Sequence, residues 1–329
     1  MTLNTLRKKL SQLPLNQKVN LPASCQKLSE NFLHAQTLIR CFYCALFFLS
    51  VPQMREWGRY LNHQDYDFLW PVYWLNWFPQ DIGIQLILYL SLFGTLIGAL
   101  TPSLKSARVL AFLGVFLFQA LHNSFGKISH SFHLWHIIAA FLIFLPAGWH
   151  CITNQTRKTK LLTLQTIWFA TAFLLMTYSM SGLGKIACGI GQLVMGDISL
   201  FHPMSMSIHV ATRLMETNTQ SEFGSWIVEI GVFSWPLVLS ATYLQFTSLI
   251  CAFRPQLMKL WGLGLIIFHL SVWFTFKIPF FPTCLIVALL LFASPLANGH
   301  YTWKQILLSL PGLGLCKFIF RAKNEKNKI

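Results

Sequence analysis

Apolar runs recur along this chain at nearly the length needed to cross a bilayer, and they leave little room for a water-soluble fold. Eight stretches, at about 33–51, 82–101, 107–121, 133–150, 161–181, 225–252, 259–276 and 280–296, are dominated by apolar side chains. A membrane-crossing helix needs roughly 20 such residues, because each adds about 1.5 Å across a hydrocarbon layer of about 30 Å. Composition agrees. Of the 329 residues, 54% are hydrophobic and only 11% charged, where a soluble domain carries roughly 25% charge. The pattern predicts an all-α, polytopic transmembrane helix bundle of eight spans. The expected organisation is a basic tail over 1–32, the transmembrane domain over 33–296 and a basic interfacial tail over 297–329.

The net charge of +15 is read as topology and not as a nucleic-acid footprint. Eight spans put both termini on one side. All but six of the 25 Lys and Arg residues then share that side, the exceptions being Arg55, Arg59, Lys127, Lys185, Arg213 and Lys277. Insertion retains Lys and Arg in the cytoplasm, so both termini are expected there. The chain is expected to be a multi-pass protein of the bacterial cytoplasmic membrane, with no secretory signal, since its first apolar run comes late. Leu3, Leu6, Leu10 and Leu13 recur at helical spacing beside Arg7, Lys8 and Lys9, the pattern of a short helix lying on an anionic leaflet.

Some local features refine the picture. The sixth stretch is long and contains Pro236, so a kink or tilt is expected. Residues 306–320 hold Pro311, Gly312 and Gly314 and are placed along the surface. Of the two long outer loops, 52–81 carries Trp57, Trp70, Trp74 and Trp77, whose indoles favour the interface, and is read as lying on the bilayer as a lid. The other, 182–224, is rich in Gly and Met. The eight cysteines are scattered and form no secreted disulfide framework. Cys41 and Cys44 read as two small buried helix residues, since no second C-x-x-C completes a zinc site.

Histidine runs opposite to Lys and Arg. His63, His122, His130, His133, His136, His202, His209 and His269 fall on or nearer the outer side. The polar turn before span four holds His122, Lys127, His130, His133 and His136, and ionisable groups at the mouth of a membrane helix mark a candidate site. His130, His133 and His136 step by about 300° and cover one broad helix face. They suit interfacial hydrogen bonding or contact with a substrate. No metal centre is expected, because carboxylate or cysteine partners are missing. Lys185, in Ser181-Gly182-Leu183-Gly184-Lys185-Ile186, is either a cation reaching the headgroups or a partly desolvated base, and the glycines let neighbouring backbone come close. Glu229 is expected to be paired with His or Lys across the bundle, or protonated. His269 is either a satisfied core residue or a pocket residue.

Three motifs in order resemble a known family: Ser129-His130-Ser131-Phe132, Ser181-Gly182-Leu183-Gly184-Lys185-Ile186, and Phe268-His269 followed by Ile278-Pro279-Phe280-Phe281-Pro282. Together they resemble the HTTM membrane domain of vitamin K-dependent gamma-carboxylases and bacterial relatives, within the wider DoxX-like group, over roughly residues 30–297. The resemblance implies an all-helical membrane domain with an outward-facing pocket that takes a quinone, and no metal. It makes Lys185 the counterpart of the base acting on hydroquinone, and His130 and His269 counterparts of pocket histidines. Ala187 and Cys188 stand where the family has an acidic residue, and the chain ends soon after its last span, without the carboxylases' large lumenal domain. Carboxylation of protein glutamate is therefore not carried over, and a protein partner supplying an outer domain is one expectation.

The functional expectation is an outward-facing pocket for a quinone or other lipid-soluble molecule, with redox-linked, base-initiated chemistry. Lys185 and His130 would be catalytic, and His122, His133, His136, Glu229 and His269 would line the pocket or tune it. The alternative is a non-catalytic membrane protein that holds a lipid or protein partner.

Overall fold

A computed structural model describes residues 25–54, 67–125, 132–151, 155–297, 299 and 301–312. Among these residues the regular structure is entirely helical. The helices are α1 (Cys25–Gln53), α2 (Gln80–Leu100), α3 (Lys105–Ser124), α4 (His133–Leu142), α5 (Arg157–Met195), α6 (Ser205–Glu216), α7 (Glu222–Glu229), α8 (Trp235–Phe246), α9 (Met258–Phe276), α10 (Phe281–Val287) and α11 (Trp303–Leu308). Among the described residues four helical stretches are long and apolar enough to cross a membrane: Lys27–Gln53, Gln80–Leu100, Arg157–Met195 and Pro255–Phe276. A fifth is added if the bent pair Glu222–Glu229 and Gly231–Phe246 counts as one span. α3 has 20 residues, but Arg108, Gln119, His122 and Asn123 dilute its apolar character. His133–Leu142 and Phe281–Phe292 are apolar and shorter.

One core joins α1, α4, α5, α9 and α10, with Phe42, Trp135, Ile138, Leu174, Leu265 and Ile286 all buried. Phe42 and Trp135 stack at 5.2 Å between ring centroids. A smaller cluster seats the loop before α2 on α2 and α3, through Phe68, Val72, Leu75, Ile87, Phe118 and Leu121. Asn76 closes that loop: its amide donates to the Phe68 carbonyl and its oxygen accepts from the Phe68 N–H.

Several expectations change. The fifth stretch does not end at 181: α5 runs through the Gly-Lys motif as a 39-residue helix, about 58 Å long, and stops only at Gly196, whose φ of 77° suits glycine. Residues 182–224, read from sequence as a long loop, are thus largely helical, with α6 following α5. The sixth stretch is broken, not gently kinked. Its two halves bend by 115° at Gly231, with φ at +53°. Pro236 instead starts α8, where its missing N–H goes unneeded. Cys41 and Cys44 are exposed, on the outer surface of α1. Trp70 and Trp77 are exposed and Trp74 packs on the small cluster, while Trp57 and the amphipathic stretch Leu3–Leu13 lie outside the described residues. The described part of the C-terminal tail docks on the loop after α8: Tyr243 donates to the Pro311 carbonyl at 2.8 Å, Gln256 to the Ser309 hydroxyl at 2.7 Å, and Arg254 to the Ser309 carbonyl.

Arg108, counted from sequence among the Lys and Arg on the side of the termini, is almost fully buried. Its guanidinium donates to the carbonyls of Pro102, Ser103 and Leu145 at 2.9, 3.0 and 3.3 Å, with Ile143 at the limit of bonding distance. These carbonyls lie just past the ends of α2 and α4, where helices leave acceptors unmet and carry partial negative charge. Gln36 does the same for the turns after α4, donating to Trp149 and Cys151 carbonyls at 2.6 and 2.9 Å. Arg108→Ala is expected to destabilise the protein by about 3 kcal/mol, because buried carbonyls lose a charged donor. Arg108→Lys should recover less than half, since an ammonium cannot span the same acceptors. Thermal unfolding in mild detergent checks both.

Candidate functional site

α4 is two-sided. At 100° per residue, Trp135, Ile138, Ala139 and Leu142 fall on one face and His133, His136, Ile137 and Ala140 on the other. The first set is buried in the core, where the Trp135 indole donates to the Pro282 carbonyl at 2.9 Å. The second set faces α3 across a groove. One end of this groove, about 340 Å³, is walled by Leu69–Pro71, Gln119, Asn123, Ser124, His133 and His136. The other, about 400 Å³, is lined by Phe112, Phe116, Ala140, Phe141 and Phe144. His136, Phe116 and Ile137 border both ends, so the two form one channel with a polar head and an apolar tail.

The polar end is ordered by hydrogen bonds. The Gln119 amide donates to Asn123 Oδ1 at 2.9 Å, and the Asn123 amide lies 3.4 Å from His133 Nε2. If that amide donates, the proton of neutral His133 sits on Nδ1. The His133 and His136 rings stand 5.7 Å apart, edge to face, and His136 Nδ1 is buried without a hydrogen-bond partner. No Lys, Arg, Asp or Glu lines either end among the described residues.

Lys185 and His269 belong to a different place. The Lys185 ammonium donates to Gln245 Oε1 at 2.7 Å and to Ser181 Oγ at 3.0 Å, while its stem remains exposed. Seven residues earlier, on the same face of α5, the Tyr178 hydroxyl lies 2.7 Å from His269 Nε2. His269 is buried beside Phe280, and its Nδ1 has no partner. Between the two pairs, Gly182 lets α5 touch α8: a Cβ there would stand 2.6 Å from the Phe246 Cα. Gly184, by contrast, has open space around it. The close approach expected of both glycines therefore occurs at one.

The sequence-derived site residues thus divide. His133 and His136 share the groove. Lys185 of α5 pairs with Gln245 of α8, and His269 of α9 pairs with Tyr178 of α5. His122 is half-buried at the end of α3, outside the groove lining. Glu229 is exposed at the end of α7, and no ion pair joins it to Lys185 or a histidine among the described residues; the pair found there is Arg213–Glu216 at 3.6 Å. The convergence of all these groups on one cavity does not occur among the described residues. His130 lies outside them. No group of three or more His, Cys, Asp or Glu able to hold a metal is found among the described residues. Gln119, Asn123, Tyr178 and Gln245 were passed over in the sequence, although polar side chains inside apolar runs are a usable signal.

Comparison of the chain with family models, curated proteins and solved structures returns no match.

Gly182→Ala is expected to lower the unfolding midpoint clearly, because backbone on both helices must move apart, whereas Gly184→Ala should leave it unchanged or slightly raised. Tyr178→Phe should cost about 1–3 kcal/mol by leaving His269 Nε2 unpaired. Thermal unfolding of the three variants side by side separates the effects.

Proposed function

We propose that this chain is a multi-pass protein of the bacterial cytoplasmic membrane that holds a lipid-soluble, amphipathic molecule in the groove between α3 and α4. In this reading eight segments cross the bilayer and both termini are cytoplasmic. The short apolar pieces, α4 and Phe281–Phe292, count as spans of a bundle whose neighbours complete them. The observation that carries the proposal is the gradient along one groove, from amide and imidazole groups at one end to phenylalanines at the other. Small-molecule sites combine such apolar walls with a few placed polar groups. A head with a hydrogen-bonding oxygen fits beside Gln119, Asn123 and His136, and a hydrocarbon or prenyl tail fits against Phe112, Phe116 and Phe144. A quinone has this form, as do other lipids.

The test is to purify the protein in mild detergent, extract it and identify bound lipids by mass spectrometry. Ala140→Phe, which fills the apolar end, and Gln119→Leu, which removes a polar group, should each reduce retention by roughly tenfold, equivalent to about 1.4 kcal/mol. Equal retention by both folded variants would sink the proposal.

A second reading is enzymatic, and one arrangement favours it: Tyr178 and Lys185 share a face of α5 and engage His269 and Gln245. Lys185 would act as a base in carboxylase-like, redox-linked chemistry, in keeping with the HTTM resemblance. It requires the ammonium to leave Gln245 and Ser181 and reach a substrate. A bound quinone whose redox state is indifferent to Lys185→Ala would remove this reading and leave the binding one.

A further inference from the structure

The break at Gly231 has a geometric consequence for α6 and α7. α8 runs alongside α5, with the Gly182 contact at one end and the Trp235 indole donating to the Leu200 carbonyl at 3.1 Å toward the other. In the membrane arrangement proposed above, α5 and α8 cross the bilayer side by side. The 115° bend before α8 then turns α7 away from the membrane normal and close to the membrane plane. α7 is held at that angle. Ser221 caps it by accepting from the Gly224 N–H at 2.9 Å and donates to the Phe274 carbonyl, near the end of α9, at 2.6 Å. Gly224 seats α7 against Leu214 of α6 and the Thr275 carbonyl.

α7 carries three stripes. Gly224 and Ile227 are buried against the protein. Glu222, Ser225 and Glu229 form an exposed polar stripe. Between them Phe223 and Trp226 are exposed, stacked on each other at 5.4 Å, and Phe223 also meets Phe274 at 6.5 Å. Val232 and Phe233 of the bend, Leu237 of α8 and Phe274 of α9 are exposed apolar side chains as well. Phe233 is 81% exposed. A free polar stripe, an aromatic stripe and a protein-facing stripe suit a helix half-sunk in a membrane surface, and Trp prefers that depth.

We propose that α6 and α7 form a hairpin lying in the membrane interface, with Phe223, Trp226 and Phe233 inserted among lipid headgroups and upper acyl chains. The partner is a lipid surface. The hairpin is then a collar of the bundle and not the base of an outer domain, and it places the neighbouring outer end of α9 at the bilayer boundary.

The test uses the full chain in lipid nanodiscs, with native cysteines replaced and single nitroxide labels introduced by Phe223→Cys, Trp226→Cys, Phe233→Cys, Glu222→Cys, Ser225→Cys and Glu229→Cys. Labels at 223, 226 and 233 should collide several-fold more with oxygen than with a water-soluble nickel chelate, and labels at the other three should show the reverse. Nickel-accessible labels at 223, 226 and 233 would overturn the proposal in favour of a projecting hairpin. Low accessibility to both reagents would overturn it in favour of a protein cover. If the cysteine-free chain fails to fold, quenching of the native protein by brominated lipid replaces the labels: Trp226→Phe should remove a lipid-quenchable fraction of the fluorescence, and an unchanged fraction overturns the proposal.

Discussion

Within a hydrocarbon layer no water is available to satisfy a carbonyl or an N–H, so each departure from a regular helix needs a donor from elsewhere in the protein. This chain departs often. It breaks at Gly231, shifts to a 3-10 turn at Ser248–Phe253 and to a π turn at Ala288–Phe292, and ends α4 early. Long polar side chains reach some of these places and several other helix ends. The Trp168 indole donates to the Ala252 carbonyl at 2.8 Å, that of Trp261 to Leu244 at 3.0 Å, that of Trp135 to Pro282 at 2.9 Å, and that of Trp235 to Leu200 at 3.1 Å. Arg108 and Gln36 serve the turns after α2 and α4. The tryptophans thus do more than mark the interface: several staple irregular backbone inside the bundle, where their ring fills space and their single N–H finds an acceptor.

The same economy shapes the two polar regions. The α3–α4 groove keeps its polarity in amides and imidazoles, which cost less to place near lipid than full charges. Lys185 is the charged exception, and it is met by two neutral oxygens. α4 turns its histidines toward the groove and its Trp135 into the core. Neither His269 nor Lys185 lines the groove, so the proposed ligand would meet His133 and His136 without meeting either of them.

Much of the architecture was readable in advance because apolar run length and helix rise are local quantities. Helices occupy all eight expected stretches, in whole or part, and the broken character of the sixth was partly foreseen. What was misjudged depended on partners. Gly182 and Gly184 look alike in sequence, and only the position of α8 distinguishes them. Pro236 looked like the cause of a bend that Gly231 makes. Arg108 was counted only among the charges that set topology; the carbonyls of Pro102 and Ser103 are near it in sequence, but that of Leu145 reaches it only through the fold. His133 and His136 were legible as candidates from their spacing at a helix mouth, but their companions Gln119 and Asn123 come from another helix.

By itself, then, the sequence determined the apolar, all-helical character of the chain, since this follows from composition and run length, while of the eight expected spans four or five are long and apolar enough to cross a membrane among the described residues. The tertiary structure decided which polar groups meet. It put His133 and His136 with Gln119 and Asn123, Lys185 with Gln245, and His269 with Tyr178, and it kept the first group apart from the others. Those pairings depend on where one helix lies against another, and no local pattern in the chain encodes that placement.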